Sequence, residues 1–368
     1  MNTEIERRLG FETYPISFTT KVRKYDLGET LIPKDTILLA FRGSVAHGMF
    51  VDPEDVNGID DVDLIGITIP SQRYYLGLSQ WGSRGTKEYR NGIWDGVYYE
   101  IKKLVSMLLE GNPNVLSLLW VKPEHRLFVS PVGEMLYEFR NLFVGKHVFN
   151  AFAGYANAQL LKMTSRDPSE LREYLAVTAE LKYRGAHPNH KGEVFPRPYE
   201  LPFGDLDQAI DSGDHECMVA ANESTIRRLG SNEAVNVYNT STEKLMARLR
   251  HYQKKGENIG YMGEKRKRMV VELGYDSKNA SHCIRLLRMC SQFLQTGSMT
   301  VYRPDAGDDQ ELLRIKRGEW TLERVKEHAE HLFQQARDAR DHSPLPDEPD
   351  RERVEYKLIQ MISSHWLR

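Results

Sequence analysis

The hydrophobic pattern is clearest early in the chain. Thr36-Ile37-Leu38-Leu39-Ala40-Phe41-Arg42 is almost continuously apolar and predicts a strand buried on both faces. Asp61-Val62-Asp63-Leu64-Ile65-Gly66-Ile67-Thr68-Ile69 predicts a second strand. Ile93-Trp94-Asp95-Gly96-Val97-Tyr98-Tyr99-Glu100-Ile101 predicts another, leading into an amphipathic helix marked by Ile101, Leu104, Val105 and Leu108. A further strand is expected within residues 1–30, and a short apolar segment runs from Val115 to Trp120. From Ser130 onward the period becomes helical. Ser130-Pro131 and Asp167-Pro168 each set an N-cap residue before a proline, and Glu170 follows Asp167 at capping-box spacing. Helices are predicted over Lys146–Met163, Ser169–Arg184, Leu206–Leu229 and Thr242–Lys255, with a proline-rich loop over His187–Phe203. Ser343–Pro349 reads as a linker before a last helix from Arg351 to about Ser363. The expected class is α+β: a small mixed-sheet core over 1–128, a mainly α-helical domain over 129–342, and a linker with a C-terminal helix over 343–368.

Composition narrows the classes without naming one. The 368 residues are 40% hydrophobic and 28% charged, ordinary for a globular protein of one or two domains. No apolar run approaches bilayer length, and Glu4 to Arg8 give the N-terminus a charged start, so a cytoplasmic protein without a membrane partner is expected. Cys217, Cys283 and Cys290 have no zinc spacing, which suits a reducing compartment. A net charge of −2 argues against a generally basic coat for nucleic acid, so local patches matter more. One such run is Lys265-Arg266-Lys267-Arg268, a solvated face or a phosphate-facing one. Glu327-His328 and His331 have helical metal spacing but lack a further partner.

The chemistry lies at strand ends. Gly43-Ser44 closes the first apolar strand, where a glycine lets backbone N–H groups approach anionic oxygens. Asp61 and Asp63 alternate onto one face of the next strand, and paired carboxylates are costly without a cation between them. Mg²⁺ bound by carboxylates and substrate phosphates is the natural partner. Asp95 and Glu100 are an odd number of positions apart, so they cannot both join that face. Farther on, Lys278, His282 and Arg285 fall within about 60° of arc on one helix, opposite Ala280, Cys283, Ile284, Leu287 and Leu294. That cationic row suits phosphate. His47, in the Gly-Ser loop, is a candidate for the same task.

Gly43-Ser44 followed by Asp61-Val62-Asp63 resembles the DNA polymerase β-type nucleotidyltransferase superfamily. A narrower likeness is to the nucleotidyltransferases found beside RNA ligases (RlaP-like proteins). It is carried by Gly274-Tyr275-Asp276-Ser277-Lys278-Asn279-Ala280-Ser281-His282-Cys283-Ile284-Arg285-Leu286 and by Gly111-Asn112-Pro113. The stretch from Met49 to Asp60 is longer than the likeness leads one to expect. The resemblance implies that Asp95 is the third acid beside Asp61 and Asp63, all three being catalytic and metal-binding. It further implies that Gly43, Ser44, His47, Lys278, His282 and Arg285 bind the nucleotide. The implied reaction moves an NMP from an NTP, ATP or CTP, onto an acceptor hydroxyl with release of pyrophosphate. Two Mg²⁺ ions, or Mn²⁺, would assist. An RNA 3′ end of tRNA type is the implied acceptor, in repair or modification. Protein nucleotidylylation and a non-catalytic nucleotide- or RNA-binding module are the alternatives. Oligomeric state is not readable from these residues.

Overall fold

The buried run at Thr36 becomes the centre of a sheet. A computed structural model describes residues 35–51, 61–91, 94–164, 168–183, 242–255 and 264–367. Strands β1 (Thr36–Phe41), β2 (Val62–Thr68), β3 (Thr86–Asn91), β4 (Trp94–Glu100) and β5 (Arg126–Val129) form one sheet in the order β3-β4-β2-β1-β5. β2 and β4 run parallel while the other neighbours run antiparallel, so the sheet is mixed. Ile37 to Phe41 are all buried, which explains why β1 shows no alternation. In β2, Asp63 is the position left half-buried.

Helix α1 (Gly43–Ala46) follows β1 directly, and α2 (Gln72–Leu76) follows β2. Glu100 ends β4 and caps α3 (Ile101–Leu109), its carboxylate accepting the N–H groups of Lys102 and Lys103. That local task separates Glu100 from Asp95. Ile101, Leu104, Val105 and Leu108 are the buried face of α3, as their spacing requires. Asn112 caps α4 (Pro113–Leu116). Ser130 caps α5 (Pro131–Glu138), accepting the N–H of Gly133.

Helix α6 (Val148–Thr164) replaces the expected Lys146–Met163, because Lys146 and His147 donate their N–H groups to Pro346 and Asp347. The chain divides into two compact units, residues 1–160 with 278–368, and residues 161–277. In the second, α7 (Pro168–Tyr183) packs Ala176, Val177 and Leu181 against Leu245 and Leu249 of α8 (Thr242–Lys255). Leu171 meets Val270 of α9 (Glu264–Leu273). The basic run there is internal in part: Lys267 is buried with its ammonium 4.2 Å from the Tyr174 ring centroid. Arg266 grips buried Asp276 with Nε and Nη2.

The C-terminal part of the first unit begins with α10 (Ser277–Thr296). α11 (Arg303–Ala306), α12 (Asp309–Lys316), α13 (Leu322–Asp341) and α14 (Arg351–Trp366) follow. Ala280, Cys283, Ile284, Leu287 and Leu294 are the buried side of α10, and burial pushes both of its thiols up to about 12. α14 docks through Val354 and Met361, and Trp366 donates its Nε1 hydrogen to Pro70 O at 3.2 Å. Among the described residues no helix is long and apolar enough to cross a membrane. The expected strand in residues 1–30, the loop over 187–203, the helix over 206–229 and Cys217 lie outside the described residues.

Candidate active site

Antiparallel pairing brings the Gly-Ser loop and the Asp-x-Asp strand together. β1 and β2 pair up to Phe41 with Leu64, and the next residue, Arg42, donates its N–H to Asp63 O at 3.0 Å. Gly43 therefore stands against the Asp63 side chain. A Cβ on Gly43 would lie 2.1 Å from Asp63 Oδ2, and the residue has φ +60°. Glycine is required there for both reasons. Gly43→Ala should lower stability by roughly 1–3 kcal/mol, measured by chemical denaturation. An unchanged midpoint would mean that neither the left-handed backbone nor the Asp63 carboxyl resists a Cβ there.

β4 supplies the other acid. Its parallel register sets Asp95 directly beside Asp63, so the two carboxylates share a face. Asp61, exposed at the head of β2, is two residues before Asp63. Burial raises the Asp63 carboxyl to about 6; Arg42 and Lys278 oppose this, and Asp95 and Asp61 add to it. Fixed cations stand beside two of the acids. Arg42 Nη2 is 3.6 Å from Asp63 Oδ1, and Arg90 Nη2 is 2.7 Å from Asp95 Oδ2. Among the described residues no His, Cys, Asp or Glu group of three or more is arranged to hold a metal ion. The donors nevertheless fit a hard divalent cation, since they are carboxylate oxygens whose mutual repulsion a cation relieves. Asp61, Asp63 and Asp95 are the residues that would hold it.

The cationic row of α10 faces the same place. A cavity of about 200 Å³ is lined by Gly43, Ser44, Asp63, Lys278, His282 and Arg285, among others. A second, of about 220 Å³, shares Gly43, His47, Asp63, His282 and Arg285 and adds Phe41, Ile65, Leu118, Leu286 and Met289. They form one depression with a polar lobe and an apolar one. Within it the Ser44 hydroxyl is buried without a hydrogen-bond partner among the described residues. Arg285 is half-buried, and among the described residues its one hydrogen-bonding contact is a long one to Met289 Sδ, at 4.0 Å. Burial and then Arg303 push its guanidinium down to about 9, so it remains a cation at neutral pH.

Arg303 itself is satisfied. Its Nε and Nη2 donate to Asp308 at 2.8 and 2.6 Å, and Nη1 donates to Thr300 O. Arg288 joins the same carboxylate at 3.0 Å and Glu311 at 2.6 Å. Burial opposes ionisation of Asp308, but the two arginines hold it below the usual carboxylate range.

His47 does other work in this arrangement. Its Nδ1 lies 2.8 Å from Val301 O, and Arg303 N–H donates to His47 O at 3.0 Å. Burial, with Arg285 next, holds the ring well below its ordinary value, so it is neutral. Buried Lys316 donates to Met49 O at 2.9 Å. Residues 301–316 thus clamp the Gly-Ser loop from outside.

Sequence reading therefore named the acids and the α10 row, but missed Arg42, Arg90 and this clamp. Arg42 had a signal, being the one charge between the apolar strand and Gly43. The His47–Val301 contact spans 254 residues and had none.

No curated protein and no solved structure matches this chain. Residues 21–189 match the model of the RNA repair pathway DNA polymerase beta family, RlaP. That segment contains Gly43, Ser44, Asp61, Asp63 and Asp95. The family points to nucleotidyltransferase chemistry of the polymerase β type in an RNA repair pathway. Over residues 21–189, this chain is similar to the RNA repair pathway DNA polymerase beta family.

Proposed function

We infer that the protein transfers an NMP group from an NTP, ATP or CTP, to a hydroxyl of RNA and releases pyrophosphate. The observation that carries this reading is the convergence of Gly43, Asp63 and the Arg285 guanidinium, which has no carboxylate partner among the described residues, on one depression. An unpaired cation beside a buried hydroxyl without a partner and a close backbone loop is suited to phosphate oxygens.

In this reading the triphosphate lies in the polar lobe, held by the Ser44 hydroxyl, the loop N–H groups, Lys278, His282 and Arg285. The nucleoside enters the apolar lobe between Phe41, Ile65, Leu286 and Met289. His47 positions the loop rather than touching phosphate, since its Nδ1 hydrogen is taken by Val301. Asp63 and Asp95 face the acceptor oxygen. As that oxygen bonds to the α-phosphorus, its proton passes to a carboxylate and the bond to pyrophosphate breaks. Arg285 and Lys278 stabilise the charge that grows on the departing pyrophosphate. Mg²⁺ bound by Asp61, Asp63 and Asp95 would supply Lewis-acid activation of the phosphoryl group. The catalytic core is assigned to 1–128, and the helical part over 129–342 contributes to nucleotide and acceptor binding.

The test is incubation of the purified protein with each α-phosphate-labelled NTP, Mg²⁺ or Mn²⁺, and total RNA. RNA labelled by the wild type, and not by a D61A/D63A variant, supports the reading and names the nucleotide. Label on protein alone overturns it in favour of protein nucleotidylylation, and no label favours a binding module.

A further inference from the structure

We propose that the edge of the sheet that β3 forms among the described residues, with the start of α3, is a docking strip for the phosphate backbone of a single-stranded RNA acceptor. Arg90 stands at its reactive end. This rests on the reading of Asp95 as an acid beside the acceptor hydroxyl.

β3 is the terminal strand of the sheet and pairs with β4, the strand that carries Asp95. Arg90 is the register partner of Asp95, and both its Nε and Nη2 reach a single oxygen, Oδ2, at 3.2 and 2.7 Å. Its side chain is 76% exposed. A guanidinium so exposed keeps donors for a second anion while it touches the acid.

From there the cations continue along the strand. Asp95 to Glu100 covers about 17 Å at the usual strand rise. At the far end Arg84 is exposed in the turn before β3, and Lys103 Cβ is 3.3 Å from where a Gly85 Cβ would lie. Lys102 is exposed next to it on α3. Midway, the Lys87 ammonium is 4.6 Å from the centroid of the half-exposed Trp81 ring. Lys87 alternates to the opposite face from Arg90, but long side chains on an edge strand reach its rim from either face.

One exposed acid, Glu88, interrupts the row, and Asp95 with Asp61 stands at its Arg90 end. Glu100, by contrast, is buried as the cap of α3. The whole chain has a net charge of −2, so this is a local concentration. α13, by contrast, mixes signs within a turn, as at Glu323, Arg324, Lys326 and Glu327. A narrow line of cations with an aromatic ring among them matches a flexible polyanion that carries bases to stack.

The experiment measures fluorescence anisotropy of a labelled single-stranded RNA of about 12 nucleotides over a range of salt concentrations, without NTP. Wild type is compared with R84Q/K87Q/R90Q and with an R324Q/R337Q control on α13. The strip variant should bind at least ~10-fold more weakly, and its log–log salt slope should fall by about two, near 0.7 per lost contact. The control should bind as wild type does, and circular dichroism should report an unchanged fold for both. Equal binding by the strip variant, an equal loss in the control, or no RNA binding by the wild type would overturn the proposal. No turnover is involved, so failure of the transferase reading appears separately, in the labelling assay.

Discussion

Asp63→Asn should cut NMP transfer by roughly 10³-fold or more while making the protein more stable at pH 7. Both effects come from the same carboxyl. Burial, with Asp95 and Asp61 nearby, raises it from 3.8 to about 6. The folded state therefore holds this proton to higher pH than the unfolded state does. Between about pH 4 and 6 stability falls as pH rises, and the deficit persists at neutral pH. A shift of that size sets an upper bound near 3 kcal/mol, and partial solvent screening reduces it to ~1–2 kcal/mol. Asn removes the charge and keeps the volume. Urea denaturation of both proteins at pH 4 and pH 7 measures the effect. The advantage of D63N should be present at pH 7 and nearly vanish at pH 4. A variant no more stable at pH 7 than wild type would show that Arg42 and Lys278 already neutralise the carboxylate. Retained transfer would remove Asp63 from the chemistry.

What the sequence made legible follows the range of each contact. Asp61 and Asp63 share a face because alternation is a local property, and Gly43 marks a turn for the same reason. The helical row of Lys278, His282 and Arg285 is likewise a matter of spacing within one element, and all three line the depression. Asp95 had only a slight edge over Glu100 without the resemblance, because its place depends on the parallel register with Asp63. β3 was not legible at all. Thr-Lys-Glu-Tyr-Arg-Asn has neither an apolar run nor a clean alternation, and the segment is a strand because β4 offers it partners. With β3 went Arg90. The basic run at Lys265 to Arg268 misled in the opposite direction, since charge alone reads as surface. Lys267 instead lays its stem and ammonium against Tyr174, and Arg266 closes on Asp276. His47 shows a third limit. A histidine in a phosphate-type loop reads as a cation, but the loss of solvent and then the Arg285 charge make it neutral, against the pull of a carbonyl 254 residues away.

Arg285 and Arg303 look alike in the sequence and should respond to substitution in opposite ways. Arg303 is buried and fully engaged by Asp308 and Thr300 O. Arg303→Met would leave the half-buried Asp308 with Arg288 alone and loosen the segment whose backbone N–H holds the Gly-Ser loop. A loss of ~1–3 kcal/mol in stability is expected, with nucleotide affinity lowered only through that disorder. Among the described residues Arg285 has no carboxylate within hydrogen-bonding reach, and its charge is held against burial and against Arg303. Arg285→Met should therefore cost nothing in stability, or add to it, because a poorly compensated cation leaves a half-buried site. Its loss should show in the ligand. Charge-assisted hydrogen bonds to phosphate of ~1.5–3 kcal/mol correspond to a Kd for MgATP or MgCTP raised roughly 10–150-fold. Urea midpoints and equilibrium dialysis of the two variants separate these outcomes. If Arg285→Met destabilises as Arg303→Met does and leaves nucleotide affinity unchanged, Arg285 is a packing residue and the polar lobe is not the triphosphate site.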